Sequence, residues 1–175
     1  MAFATILMDP PWPESGGGKC KRGADRHYPL IPCANMYSVV RLAHVWDPAQ
    51  DAHLYMWVTN NYLPQGLQLM AALDFRYVTN LVWVKDRSGL GQYFRGQHEL
   101  CLFGVRGQGY AVRTLPRDMT TLIGAPRKAH SAKPPEFHDL IEERSEGPYL
   151  EMFARQTRTG WTTWGNEEQV QHASE

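Results

Sequence analysis

The stretch Ala4-Thr5-Ile6-Leu7-Met8-Asp9-Pro10-Pro11-Trp12 constrains the fold more than any other part of the chain. A short apolar run stopped by an acid and two prolines predicts a buried strand with an abrupt end. Proline fixes φ and carries no N–H, so the Pro10 carbonyl is kept out of a regular ladder. In open α/β sheets, ligands bind in the crevice just beyond the carboxyl ends of the strands. Asp9 stands at that point. A carboxylate, a rigid carbonyl and the flat face of Trp12 suit a planar base that carries an exocyclic amino group. Such an amine must rehybridise before it attacks an electrophile, and two acceptors aimed at its hydrogens favour that geometry. This is a form of electrostatic preorganisation. The competing reading of the same four residues is a strand and a rigid turn, in which Asp9 only caps and Trp12 only packs.

The rest of the chain alternates between strands and helices. Further strands are expected at Ala52–Thr59, Phe75–Lys85, Glu99–Val105, Tyr149–Ala154 and Thr162–Gly165, with a short one near Leu122-Ile123. Tyr77–Lys85 and Glu99–Val105 are expected to pair as neighbours. Helical spacing of apolar residues predicts helices over Asn35–Ala43 (Met36, Val39, Val40, Ala43) and Leu63–Leu73 (Leu67, Met70, Ala71). A third helix starts at Lys133-Pro134-Pro135, buries Phe137, Leu140 and Ile141, and stops at Gly147-Pro148. This alternation implies an α/β fold: a mostly parallel sheet with helices on both faces.

The length of 175 residues suits one domain, residues 1–175, with a polar tail from about residue 168. Formal net charge is zero, so any nucleic-acid footprint must be local. Two basic segments qualify. One is the Gly-rich loop with Lys19, Lys21, Arg22 and Arg26; the other carries Arg113, Arg117, Arg127 and Lys128. Each reads equally well as a solvated face. No apolar run approaches the ~18 residues of a membrane span. No basic leader is expected, and three cysteines without paired spacing (Cys20, Cys33, Cys101) suggest a reduced, cytoplasmic protein. Gly16-Gly17-Gly18-Lys19-Cys20 lacks the spacing of a phosphate loop, and His98-Glu99 has no second histidine for a zinc helix. No metal site is expected, nor does a Gly-x-Ser-x-Gly elbow occur.

Several blocks together resemble one family. Asp9-Pro10-Pro11-Trp12 is similar to the signature of the DPPW-type N6-adenine methyltransferases, the family of the catalytic subunit of the eukaryotic mRNA N6-adenosine methyltransferase. Tyr28 lies where that family has a tyrosine after its first active-site loop. Leu54-Tyr55-Met56-Trp57-Val58-Thr59, Val82-Trp83-Val84-Lys85 and the run from Gly96-Gln97-His98-Glu99 to Gly107 resemble its next three blocks. Ser131-Ala132-Lys133-Pro134, Leu150-Glu151-Met152-Phe153-Ala154-Arg155 and Gly160-Trp161 through Trp164-Gly165-Asn166 follow in family order. Three positions depart from the pattern: Ala132 replaces a usual histidine, Thr157 lies where a ribose-contacting histidine is common, and Glu167 stands where Gln is common.

The resemblance implies a Rossmann-like class I methyltransferase fold that uses S-adenosyl-L-methionine (SAM). It also implies circular permutation, with the catalytic strand first and the cofactor strands last, so that Tyr149–Arg155 lies beside the Asp9 strand. Asp9, Pro10, Pro11 and Trp12 would carry the chemistry. Tyr28, Trp83, Glu99 and Lys133 would contact the target base. Met8, Asp9, Lys133, Phe153, Arg155, Asn166 and Glu167 would hold the cofactor. Lys19, Lys21, Arg22, Arg26, Arg127 and Lys128 would meet the nucleic-acid backbone. The implied reaction is methyl transfer to the N6 amine of adenine. DNA is favoured over RNA, because the chain resembles compact bacterial or phage members without an appended RNA-binding module. A homodimer or accessory subunit is a further expectation. The rivals are a non-catalytic partner subunit, against which the intact Asp9 argues, and methylation of a cytosine N4 amine.

Overall fold

The computed structural model describes residues 1–13, 31–89, 93–108, 119–127 and 132–165. Its strands are β1 (Phe3–Met8), β2 (Pro48–Val58), β3 (Arg76–Val84), β4 (His98–Arg106), β5 (Leu122–Gly124), β6 (Tyr149–Met152) and β7 (Trp161–Trp164). Its helices are α1 (Cys33–Leu42), α2 (Leu63–Ala72) and α3 (Glu136–Arg144). The strands form one seven-stranded sheet in the order β5-β3-β4-β2-β1-β6-β7. Only β4 runs against its neighbours, β2 and β3; the other pairs are parallel. This is the mixed α/β sheet of a Rossmann-like methyltransferase fold.

β1 lies between β2 and β6, and five of its six residues are buried. A strand covered on both faces and paired on both edges reads as a continuous apolar run, which is why Ile6-Leu7-Met8 shows no alternation. Met8 sits opposite Met56 of β2 and Met152 of β6, and Met152 sits opposite Trp164 of β7. β1, β6 and β7 therefore end level, and β2 runs two residues further. Asp9, Trp57, Phe153 and Gly165 are the next residues out along one edge of the sheet.

Helices cover both faces. Met36 and Val40 of α1 and Leu69 and Met70 of α2 pack on the face carrying Ile6, Met8, Leu54 and Met56. Phe137 and Ile141 of α3 pack on the opposite face, against Tyr55, Trp57 and Trp83. The buried stripe of α2 is Gly66, Leu69 and Met70, whereas Ala71, placed inward by its spacing, is exposed. The reason is the close approach at Gly66, where a Cβ would stand 3.0 Å from Val58 Cγ2. Met70 still faces the core as its spacing suggests, and Leu67 packs partly against it. β2 starts at Pro48, before the apolar run, because parallel pairing with Phe3 of β1 extends it backwards. β3 and β4 pair as neighbours, as expected, and run antiparallel; the short strand at Leu122-Ile123 forms on the far side of β3. Among the described residues no helix is long and apolar enough to cross a membrane.

Candidate active site

Asp9 leaves the end of β1 with its backbone N–H still bonded to the Met152 carbonyl of β6 at 3.4 Å. Its side chain is 20% exposed and accepts two hydrogen bonds from Lys133 Nζ, at 2.9 Å to Oδ1 and 2.8 Å to Oδ2. Arg155 Nη2 approaches Oδ2 to 3.5 Å from the loop after β6. Lys133 is delivered from the other face. It precedes α3, whose Phe137 packs on Trp57 with ring centroids 4.2 Å apart. The Lys133 ammonium then stands over the Trp57 ring at 5.3 Å, within cation–π range. Trp57 is buried in the core and also forms the floor beneath this lysine.

Glu99 extends the cluster. Its Oε2 lies 3.4 Å from Lys133 Nζ, and its Oε1 accepts a hydrogen bond from Lys85. Lys85, the residue after β3, stands over the Trp83 ring at 4.9 Å. Five charges thus alternate along the crevice: Lys85, Glu99, Lys133, Asp9 and Arg155. Burial pulls the Glu99 carboxyl upward, but Lys133 and Lys85 outweigh it and hold it below its usual range. Burial likewise opposes the Lys133 ammonium, yet Asp9 and Glu99 hold it above the usual lysine value. Both groups therefore keep their charge at neutral pH.

Three expected site residues face elsewhere. Trp12 is only 5% exposed; its ring stacks on Tyr62 and its Nε1–H donates to the Trp57 carbonyl at 2.9 Å. The indole is thus a plug in the core next to Asp9, because a buried N–H takes the nearest backbone acceptor. Trp83 is 2% exposed and donates from Nε1 to the Ala125 carbonyl at 2.8 Å, so it lies beneath Lys85 and does not wall a base pocket. The Met8 side chain is fully buried and leaves no surface for a cofactor. Pro10 is placed as expected, outside any ladder, but its carbonyl already accepts the Trp12 backbone N–H at 2.8 Å and keeps one lone pair free for another donor. The Pro11 carbonyl accepts from Ile31 N–H at 3.3 Å, which brings residue 31 back to the site.

The crevice beyond β1, β6 and β7 fits a cofactor that carries both an amine and a carboxylate. Phe153 ends β6 in the left-handed region, φ 61°, and turns the chain back beside Asp9. Gly165 comes so close that a Cβ there would stand 2.1 Å from the Ala154 carbonyl oxygen. Only glycine lets the two backbones meet. Asp9 can receive an ammonium, and Lys133 and Arg155 a carboxylate. Tyr28, Asn166, Glu167, Lys19, Lys21, Arg22, Arg26, Arg113, Arg117 and Lys128 lie outside the described residues. Arg127 is exposed, and its backbone N–H donates to Asp86 Oδ1 at 2.9 Å.

Two features carry no assignment from the sequence. Lys85 was visible as a lysine ending an apolar strand, which places it at the functional edge of the sheet. Tyr93 and Phe94, 95% and 88% exposed, sit with Arg87 and Arg95 on the β3–β4 connection. β3 runs parallel to β1, so this connection rims the same edge as Asp9.

Residues 3–167 match the family model described as MT-A70. Among curated relatives, the chain is 28% identical to the N(6)-adenosine-methyltransferase catalytic subunit METTL3 of Homo sapiens, over 94% of this chain and 28% of that protein. It is 29% identical to the N(6)-adenine-specific methyltransferase METTL4 of Homo sapiens, over 94% of this chain and 37% of that protein. The N(6)-adenosine-methyltransferase MT-A70-like protein of Arabidopsis thaliana is 26% identical over 94% of this chain and 24% of its own length. The chain therefore spans about a quarter of the length of several curated relatives it matches.

Proposed function

This chain belongs to the MT-A70 family, and from that premise we propose that it is a SAM-dependent methyltransferase acting on the N6 amine of adenine in nucleic acid. The observation that carries the reading is the Asp9 carboxylate, held at the crevice edge of the central strand between Lys133 and Arg155. SAM, when bound, supplies an electrophilic methyl group on a sulfonium. Asp9 accepts a hydrogen of the target amine, and the free lone pair of the Pro10 carbonyl is the second acceptor. Together they hold the nitrogen lone pair away from the ring, in line for direct displacement. Orientation of this kind contributes roughly 7–11 kcal/mol to catalysis. Trp12, stacked on Tyr62, packs in the core three residues after Asp9. Lys133 bonds both Asp9 oxygens, and Glu99 Oε2 is close enough to draw it aside as an amine enters. Tyr28 remains the candidate for packing on the base, with Asn166 and Glu167 for the cofactor's ribose and adenine.

The adenine must leave its stack, which costs a few kcal/mol in a duplex. DNA is the favoured polymer in this reading, as the resemblance to compact members of the family implies. RNA is the second reading, favoured by the adenosine names of two of the relatives. An accessory subunit or a second copy would enlarge the recognition surface of a catalytic domain this small. The test is transfer from tritiated SAM to DNA and RNA oligonucleotides, followed by nucleoside analysis. Label is expected on N6-methyladenine and is expected to vanish in Asp9→Ala. Label on N4-methylcytosine, or an Asp9→Ala variant as active as wild type, would overturn the reading. No transfer at all would leave a nucleic-acid-binding partner subunit in its place.

A further inference from the structure

We propose that Lys85 is a positioning residue for methyl transfer, holding Glu99 so that Glu99 shares Lys133 with Asp9 instead of capturing it. The role rests on the methyltransferase reading. Glu99 has one oxygen on each lysine, Oε1 on Lys85 and Oε2 on Lys133. Lys85 is fixed from every side. Its backbone N–H donates to the Gln97 carbonyl at 2.9 Å, and its own carbonyl accepts from Gln97 Nε2 at 3.0 Å. Its ammonium stands over Trp83, itself anchored through Nε1 to Ala125. Lys133, by contrast, reaches three carboxylate oxygens, two on Asp9 and one on Glu99. Its position is the outcome of a competition between two carboxylates.

Lys85 sets the balance of that competition. A half-buried carboxylate with one oxygen unpaired draws in the nearest cation, because the unmet acceptor bears its full desolvation cost. Without Lys85, that cation is Lys133. Both Glu99 oxygens would then turn to the Lys133 ammonium, and of its two cations Asp9 would keep Arg155. The charged groups that face Glu99 are Lys85 from the end of β3 and Lys133 from ahead of α3; Lys133 in turn meets Asp9 beyond β1, which Arg155 beyond β6 also approaches. Even with Lys133 drawn in, Glu99 keeps one contacting cation instead of two, so its carboxyl rises toward the ordinary value. Below that midpoint the protonated Glu99 no longer holds Lys133, which stays on Asp9.

The experiment compares Lys85→Met and Lys85→Arg with wild type in the full chain. The first readout is the pH titration of the Glu99 side-chain carboxyl carbon by NMR, which requires no turnover. The second is the pH dependence of kcat/KM. In Lys85→Met the Glu99 midpoint is expected to rise by about one unit or more, the effect of one opposite charge at contact distance. The acid limb of the rate profile is expected to rise with it. Lys85→Arg returns both toward wild type. A residue that merely supports the fold would lower the rate evenly across pH. An unmoved midpoint or limb in Lys85→Met overturns the proposal, and so does a Lys85→Arg variant that behaves like Lys85→Met. Lys85→Gln supplies the same comparison if the methionine variant does not fold. A wild-type chain that transfers no methyl would remove the methyltransferase reading and this role together, whereas activity with an unmoved limb removes this role alone.

Discussion

A tryptophan after a buried strand can be a plate for a ligand or a plug for the core, and its indole N–H distinguishes the two. Trp12 gives that N–H to the Trp57 carbonyl and stacks its ring on Tyr62, so Trp12→Phe should act on stability more than on substrate affinity. The variant leaves a buried carbonyl without its donor, which costs about 1–3 kcal/mol. Thermal unfolding is expected to show a midpoint several degrees lower, with KM for the nucleic acid little changed. A stable Trp12→Phe with a raised KM would instead make Trp12 a base plate. Asp9 itself was legible because two prolines stop its strand and expose the next carboxylate. Its partners were not. Lys133 lies 124 residues away, and only the docking of α3 on Trp57 brings the two together. Lys85 shows the same limit: its place at a strand end is readable, but its pairing with Glu99 depends on the register of β3 against β4.

Strands and helices were legible where their periods are strong, as in β2 and α3, and their edges were not. β6 is a four-residue strand where a longer one was expected, because Phe153 turns into the left-handed region directly after Met152. The inward face of α2 takes in Gly66 with Leu69 and Met70 and leaves Ala71 out, a close approach that apolar spacing does not carry. Gly165 is the comparable contact at the site. In Gly165→Ala the new methyl would meet the Ala154 carbonyl oxygen and nitrogen, at 2.1 and 2.8 Å, and neither is a flexible side chain. Separating the ends of β6 and β7 is expected to cost about 1–3 kcal/mol, as overpacking typically does. Calorimetric titration with SAM should show weakened binding in the same variant. Gly124→Ala on β5, where nothing lies within 4 Å of the added methyl, is the control. It should change stability by no more than about 0.5 kcal/mol. Equal behaviour of the two variants would mean that the β6–β7 contact does not shape the cofactor crevice.

At the scale of the whole molecule, the level ends of β1, β6 and β7, with β2 alongside, gather one edge of the sheet into a site, and charge decides what that edge can bind. The sheet order follows from no local pattern; of its neighbour relations, only β3 beside β4 came from the residues, and β6 beside β1 came from the family resemblance. With a formal net charge of zero, the chain has no global field to hold a polyanion. Attraction has to come from local cations near Asp9. Arg87 and Arg95 lie on the β3–β4 connection, and Arg127 is docked to it through Asp86, so these three exposed cations share the rim with Tyr93 and Phe94. Cations and rings make different, separable contributions to nucleic-acid binding. A phosphate contact releases counterions, so Arg95→Ala should weaken binding about equally for all sequences and reduce the slope of log K against log salt by about 0.7–0.9. A stacked base releases none. Tyr93→Ala or Phe94→Ala should therefore cost about 1–3 kcal/mol per lost stack and leave the slope unchanged. Fluorescence anisotropy on a labelled oligonucleotide across a salt series measures both quantities. If Arg95→Ala leaves the slope intact and neither aromatic variant weakens binding, this rim does not meet the polymer, and the attraction must arise elsewhere on the chain.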